Sequence, residues 1–169
     1  GGHFPEIRTR STLRGLQRHG EAVADAAPGG RVAASLRGVS ADEVQPGDLL
    51  CAPGVLTPSL AVDVEFELAS DLARAPKSGD EVRVLWGARQ DIARIRLLDD
   101  PPPGRGGRGF AQLRFAAPVA TFAGARAILR RLSPPATLGG VVVVDPAAAR
   151  LKGRAGPQRE VLAAARTAT

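Results

Sequence analysis

Several residue types are scarce in this sequence, and each scarcity excludes a class of protein. The single cysteine, Cys51, rules out an intrachain disulfide and with it a disulfide-stapled secreted domain. No apolar run is long enough to span a bilayer as a helix, and no signal-peptide pattern opens the chain. We therefore expect a cytoplasmic protein without a membrane partner. Methionine is absent, so we also expect these 169 residues to be an internal piece of a longer protein.

Motifs for nucleotide, metal and covalent chemistry are missing as well. No G-x-x-x-x-G-K-[ST] loop is present to cradle a phosphate. His3, His19 and Cys51 lack the spacing of a metal site, and no nucleophile is accompanied by a base. We expect no catalytic residue, metal or cofactor in this chain, with His19 as a turn residue and Cys51 as a small buried apolar group. These residues leave open whether the whole protein is an enzyme.

Glycine, proline and positive charge are abundant. The 20 Gly and 14 Pro favour many turns and short strands, and a hydrophobic content of 44% suffices for a core. The formal net charge of +6 suits a polyanionic partner such as nucleic acid. Lys77 and Lys152 are the only lysines, however, and such a bias toward arginine, alanine and glycine is also typical of GC-rich genomes. Charge alone leaves both interpretations open.

Apolar and polar residues alternate in several segments with the two-residue period of half-buried strands. In the first half, residues 7–23 predict a hairpin turning at His19–Gly20, and residues 31–37 predict a third strand. In the second half, the alternation predicts one buried face, formed by Val62, Val64, Phe66, Leu68, Val82, Val84, Trp86, Ala93, Ile95, Leu97, Ala111, Leu113 and Phe115. It predicts a wet face formed by Asp63, Glu65, Glu67, Glu81, Arg83, Arg94, Arg96, Gln112 and Arg114. Short strands of this kind indicate an antiparallel barrel or sandwich.

Two other segments have their own signatures. Residues 99–109 are rich in proline and glycine, which predicts a flexible, solvated hairpin tip, with RNA contact through Arg105 and Arg108 as the alternative. Near the end of the chain, Pro157 precedes Val161, Leu162 and Ala165 at helical spacing. We expect a short helix there, marginal on its own, as the first helix of a further domain.

Three groups of residues resemble motifs of selenocysteine-specific translation elongation factors, an elongation factor Tu-like family, in order and spacing. The stretch 16–39 contains Gln17-Arg18-His19-Gly20, Gly29-Gly30-Arg31-Val32-Ala33 and Leu36-Arg37-Gly38-Val39, which are similar to motifs of the family's second domain. Gly47-Asp48-Leu49-Leu50 is similar to a turn of that domain, with Pro46 in place of an arginine. Ser133-Pro134 through Asp145-Pro146 resembles the signature that closes the third domain. Departures are Gly30 for a usual glutamine and Val141 for a usual glycine.

The resemblance covers roughly residues 6–150 and implies an all-β fold. We expect two small antiparallel β-barrels of the translation-factor type, the first incomplete, with a short C-terminal helix. Residues 1–51 would be the C-terminal part of the second domain, and residues 52–57 a linker. Residues 58–148 would form the third domain, followed at 149–169 by a basic linker and the start of a winged-helix region.

The resemblance also implies a role for the parent protein. It would deliver selenocysteinyl-tRNA to the ribosome for selenocysteine incorporation, and hydrolyse GTP with magnesium in an N-terminal domain that this chain lacks. It would reach an mRNA stem-loop through C-terminal domains, and we expect a monomer. Arg31 stands at an arginine that lines the family's aminoacyl pocket, where a guanidinium would favour an anionic selenolate over a neutral serine hydroxyl. The alternative for Arg31 is a pair with a surface carboxylate at the start of its strand.

Two other functions remain open from the sequence. The barrels could belong to another tRNA-carrying translation GTPase, of the initiation-factor type. The chain could instead be a stand-alone, arginine-rich β-module that binds RNA. GTPase motifs upstream would exclude the second alternative, and a winged-helix region downstream would favour the selenocysteine factor.

Overall fold

The computed structural model describes residues 10–153 and 156–167, with side chains described as far as residue 165. The chain divides into two compact units, Gly1–Asp48 and Leu49–Thr169. The division lies close to the predicted end of the first domain at residue 51, while the predicted linker at 52–57 stays a prediction. Within the described ranges, no helix is long and apolar enough to cross a membrane.

The first unit is a three-stranded antiparallel sheet of order β2–β1–β3. Its strands are β1 (Leu13–Arg18), β2 (Glu21–Val23) and β3 (Ala33–Leu36). The predicted turn at His19–Gly20 is confirmed, with φ of 53° and 87°, the left-handed pair that a two-residue hairpin turn requires. Residues 7–9 of the predicted hairpin lie outside the described part. A single 3₁₀ turn, Ala41–Glu43, follows the sheet.

The second unit contains a closed barrel of six antiparallel strands in the order β4–β7–β6–β5–β8–β9, in which β9 pairs back onto β4. Closure leaves no unpaired strand edge. The predicted all-β class is therefore confirmed, with one complete barrel, one partial sheet and one short helix. The strands are β4 (Ser59–Leu68), β5 (Glu81–Trp86), β6 (Arg89–Leu97), β7 (Arg108–Val119), β8 (Arg126–Arg131) and β9 (Ala136–Asp145).

The barrel interior is filled by the residues that the alternation placed on the inner face, together with residues of β8 and β9 for which no face was predicted. Of these predicted residues, all but Trp86 and Leu97 are buried, and those two are half-buried against the same core. Trp86 stacks on Phe115 with ring centroids 5.7 Å apart, and its indole nitrogen donates to Asp91 at 2.7 Å. The period of two thus predicted the correct inner face for β4, β5, β6 and β7.

Gly139 is the residue that lets β9 approach β4. Its φ is 149°, and a Cβ at this position would overlap the backbone carbonyl of Glu67 on β4. Only glycine fits a backbone position of this kind. The neighbouring Gly140, by contrast, has open space where its side chain would be.

The predicted wet face is wrong at two positions, because the chain after β9 folds back onto the barrel. Asp63 on β4 and Gln112 on β7 are fully buried. They lie beneath a C-terminal strap, residues 149–153, and helix α1 (Gly156–Thr167). The predicted helix is confirmed, and it packs on the barrel. Whether it also begins a further domain stays a prediction.

The segment at residues 99–109 is mostly exposed and joins the antiparallel strands β6 and β7, as predicted for a solvated hairpin tip, and both of its arginines contact the protein. Arg105 donates from Nη2 to the carbonyl oxygen of Ala73 at 2.9 Å. Arg108 forms an ion pair with Glu67 at 2.8 Å. These contacts hold the segment against the barrel, and RNA contact through the two arginines stays a prediction.

Cys51 is exposed, which contradicts its prediction as a small buried group. It lies just before the turn at 52–55, outside every strand of the barrel and of the sheet. The alternating pattern that predicted burial elsewhere does not extend to this residue.

Candidate nucleic-acid interface

Arg31 lies at one end of the three-stranded sheet, two residues before β3 begins. It is exposed, and no described residue pairs with its guanidinium. The guanidinium of Arg18, at the end of β1, lies beside Gly30, with atoms 3.8 Å from where a Cβ of Gly30 would be. Because β1 and β3 are antiparallel, the end of β1 and the start of β3 meet, and two arginines come to the same end of the sheet.

An open cleft of about 240 Å³ runs across the same sheet. Its lining is mostly small and apolar, and it consists of Gly15, Leu16, Gln17, Ala22, Ala33, Ala34 and Ser35. Arg31 does not line this cleft. The role of Arg31 in an aminoacyl pocket therefore stays a prediction, as does the alternative of a surface ion pair.

A second cleft, of about 180 Å³ and lined by arginines, lies on the barrel at strands β5 and β8. Arg83, Arg130, Arg131, Leu132 and Pro135 line it, with no carboxylate among them. Arg83 and Arg130 are exposed and lie directly opposite each other across the two strands. Like charges in such a cross-strand pair destabilise a sheet, and they attract an anion that can lie between them. We call these five residues the arginine cleft.

The cations of the arginine cleft and its surroundings differ in their contacts. Arg131 is half-buried and donates to the backbone carbonyl of Arg74, so its direction is fixed. No described carboxylate pairs with Arg83 or Arg130. Arg94 on the neighbouring strand, in contrast, pairs with Glu81 at 3.1 Å. Arg83 and Arg130 are therefore the cations available to a phosphate, and Arg94 is a natural comparison.

Exposed apolar side chains lie beside the arginine cleft. Ile92 on β6 pairs across the sheet with Arg83, and Ile128 on β8 lies two residues before Arg130. They are 45% and 48% exposed. A surface that joins guanidinium groups to apolar contacts suits a nucleic-acid backbone, since phosphate meets the charge and the sugar meets the apolar side chains.

The sequence did not identify the arginine cleft. Arg83 was predicted to lie on a wet face, but the pairing of β5 with β8 brings it opposite Arg130, which is 47 positions later. No local signal in the sequence predicts that register, because the alternation assigns residues to a face of their strand but does not show which strand pairs with which. The sequence offered Arg105 and Arg108 as an alternative RNA contact, and their guanidinium groups contact the protein itself.

Comparison with known proteins gives consistent matches. The family model of the selenocysteine-specific elongation factor β-barrel domain matches residues 61–150. A curated selenocysteine-specific elongation factor from Desulfomicrobium baculatum is 35% identical over 137 residues, which are 81% of this chain and 22% of that protein. A crystal structure of bacterial selenocysteine-specific elongation factor EF-Sec is similar with a TM-score of 0.70 and 25% identity, covering 89% of this chain and 23% of that one. The chain thus spans less than a quarter of the length of either relative.

Proposed function

Because the chain belongs to the family of selenocysteine-specific elongation factor β-barrel domains, we propose that it is the tRNA-carrying part of such a factor. The parent protein delivers selenocysteinyl-tRNA to the ribosome. It acts as a monomer in the cytoplasm and hydrolyses GTP with magnesium in another domain. It reads an mRNA stem-loop through domains that follow the barrels. Within this chain, the barrel supplies contacts to the tRNA backbone.

The arginine cleft is the observation that supports this role most directly. Arg83 and Arg130 are cross-strand partners that line one cleft without a described carboxylate to neutralise either of them. A structural role would favour a mixed-charge pair at such a position, as Arg94 and Glu81 form on the same sheet. An RNA phosphate supplies the missing negative charge and releases condensed counterions when it binds.

The test is tRNA binding by the purified chain at several salt concentrations, measured by fluorescence anisotropy. For a few phosphate contacts, the plot of log affinity against log salt should have a slope on the order of −2 to −5. The double variant Arg83→Ala/Arg130→Ala should bind more weakly and reduce the magnitude of the slope by about 2, because each lost phosphate contact removes about one unit.

Arg94→Ala is the matched control, since it removes one arginine from the same sheet whose charge is already paired. It should leave the slope nearly unchanged. If the control weakens binding as much as the double variant does, net charge and not the arginine cleft governs the interaction. Absence of tRNA binding by the unaltered chain at low salt would contradict the proposed role of the barrel.

Arg31 is proposed to favour the selenolate of the aminoacyl group. In the full-length parent, Arg31→Ala should weaken binding of selenocysteinyl-tRNA about tenfold or more, the equivalent of a lost hydrogen bond to a charged group. Binding of the same tRNA charged with serine should change little, because the contacts to the tRNA body are common to both. Equal weakening of both charged tRNAs would show that Arg31 contacts the tRNA backbone, and a collapse in melting temperature would show a structural role.

A further inference from the structure

Helix α1 is attached to the outside of the barrel through Gln158, Arg159 and Leu162, among other contacts. Gln158 donates from Nε2 to Asp63 on β4 at 2.6 Å. Arg159 forms an ion pair with Asp99 at 2.7 Å. Leu162 is only 2% exposed and packs against Leu98 and Phe110 in a small apolar cluster outside the barrel core.

The strap, residues 149–153, is held by the side chain of Gln112. Its Nε2 donates to Asp63 at 2.8 Å and to the carbonyl oxygen of Ala149 at 3.0 Å. Its Oε1 accepts from the backbone nitrogen of Leu151 and from Nε of Arg114, each at 3.0 Å. Both the nitrogen and the oxygen of this buried amide are hydrogen-bonded, and these bonds are satisfied together in only one position of the strap.

Two guanidinium groups complete the attachment of the strap. Arg114 donates from Nη2 to the carbonyl oxygen of Leu151 at 2.6 Å, and Arg96 donates to the same oxygen at 3.1 Å. Arg96 also donates to the carbonyl oxygen of Gly153. Arg96 on β6 and Gln112 and Arg114 on β7, which the alternation placed on the wet face, therefore form a docking surface for backbone carbonyl groups of the same chain.

The helix has little stability of its own. It has 12 residues, which is short for a helix in water without tertiary contacts. Its packing cluster is separate from the barrel core, which is filled by residues of the strands and their loops. Helix formation and docking are therefore coupled, whereas the strand pairs that close the barrel and the core inside it include no residue of the strap or of α1.

We infer that the strap and α1 form a latch, which closes on the barrel and opens while the barrel stays folded. Closed, the latch fixes the position of α1 on the barrel. Open, the roughly 20 residues after β9 become a tether with an end-to-end distance on the order of 25 Å. Under the proposed function, on which this consequence rests, the latch would determine whether a domain that follows moves with the tRNA-carrying barrel or independently of it.

The test is hydrogen exchange of the 169-residue chain, comparing Leu162→Ala with Val161→Ala. Both variants shorten an apolar side chain on the same helix, but Val161 is 62% exposed and Leu162 is buried. Leu162→Ala should speed exchange of the α1 amides about tenfold or more, because it removes a packed side chain. Exchange of the strand amides should stay as in the unaltered chain. Val161→Ala should change neither.

Two results would overturn the latch. If Leu162→Ala speeds exchange in α1 and in the strands together, the helix is part of the barrel's cooperative unit and does not open separately. If Leu162→Ala matches Val161→Ala, docking does not order the helix. Gln158→Ala serves as a second opening variant, since it removes the contact to Asp63 from the helix side. The tRNA-binding measurement above is separate: its failure would contradict the proposed function while leaving the exchange result standing.

Discussion

The two units of this chain are both antiparallel sheets, yet they differ in what they bury. In the first unit, none of the residues described from 10 to 48 is fully buried, and Leu13 and Val32 are 47% and 38% exposed. In the barrel, the first and last strands pair with each other, and the inner face of the sheet is buried. Residues 31–37 alternate as the barrel strands do, yet Val32 and Ala34 stay exposed and Leu36 is only half-buried, so alternation alone does not bury a face.

This comparison shows where stability must come from. A three-stranded sheet with one uncovered face removes little apolar surface from water, and the contribution of burial scales with that surface. A six-stranded closed barrel buries its inner face on all sides and has no edge open to another chain. We therefore expect substitutions in the barrel to be far more costly than equivalent ones in the sheet.

The largest loss of stability is expected from a substitution that disrupts the pairing of β9 with β4, which closes the barrel. Gly139→Ala places a Cβ against the carbonyl oxygen of Glu67, which can be relieved only by separating β9 from β4. We expect a loss of about 5 kcal/mol or more in the free energy of unfolding, comparable to the whole stability of a small domain. Chemical denaturation measures it. Gly140→Ala, with open space at its Cβ, should cost less than about 1 kcal/mol, and an equal cost for both would show that closure does not depend on Gly139.

The next effect compares leucines of the two units directly. Leu113→Ala in the barrel core, where the side chain is fully buried, should cost about 2–5 kcal/mol through lost burial and the cavity left behind. Leu13→Ala in β1, where the side chain is 47% exposed, should cost about 0.5 kcal/mol or less. Thermal melting followed by circular dichroism measures both. A similar cost at the two positions would mean that Leu13 is covered in solution by something that this structure does not contain.

The sequence predicted the inner face of the barrel because the period of two is a local property. Val62, Val64 and Leu113 could be assigned to the core without knowledge of the strand order. It failed for Asp63 and Gln112, whose burial depends on a strap far along the chain. The local sequence around a polar residue in an alternating strand does not indicate whether a distant segment of the chain will bury it.

The candidate site was less predictable than the fold, for a related reason. The sequence singled out Arg31 from a family motif, and the structure leaves that assignment untested. The arginine cleft was missed, because it exists only through the register of β5 with β8. The arginines that did attract attention, Arg105 and Arg108, contact the protein itself. Which arginines remain free is a property of tertiary pairing and cannot be read from spacing.

The smallest effect distinguishes the two units by the sign of their response to pH. In the first unit, the backbone nitrogen and then the hydroxyl of Ser40 donate to Glu43 at 2.6 and 2.8 Å, and these bonds lower the pKa of that carboxyl. In the barrel, burial raises the pKa of Asp63 above its ordinary 3.8, against the lowering effect of hydrogen bonds from Gln112 and Gln158. Asp145 on β9 adds to the rise and Arg114 on β7 opposes it.

The linkage between proton binding and folding gives opposite directions for the two carboxyls. A lowered folded pKa at Glu43 means stability that is present above the unfolded value of 4.5 and lost as the pH falls through the folded pKa. A raised folded pKa at Asp63 means stability that is full below 3.8 and lost as the pH rises through the folded pKa. Relative to the unaltered chain, Asp63→Asn should therefore become more stable as the pH rises from 3.8 through the folded pKa of Asp63. Glu43→Gln should be less stable than the unaltered chain above pH 4.5, and this difference should disappear as the pH falls through the folded pKa of Glu43. Denaturant unfolding at several pH values, followed separately for each unit by hydrogen exchange, measures both differences. A stability difference between Asp63→Asn and the unaltered chain that stays constant with pH would show that the pKa of Asp63 does not change on folding. The buried hydrogen bonds around Asp63 would then favour neither the neutral nor the charged carboxyl.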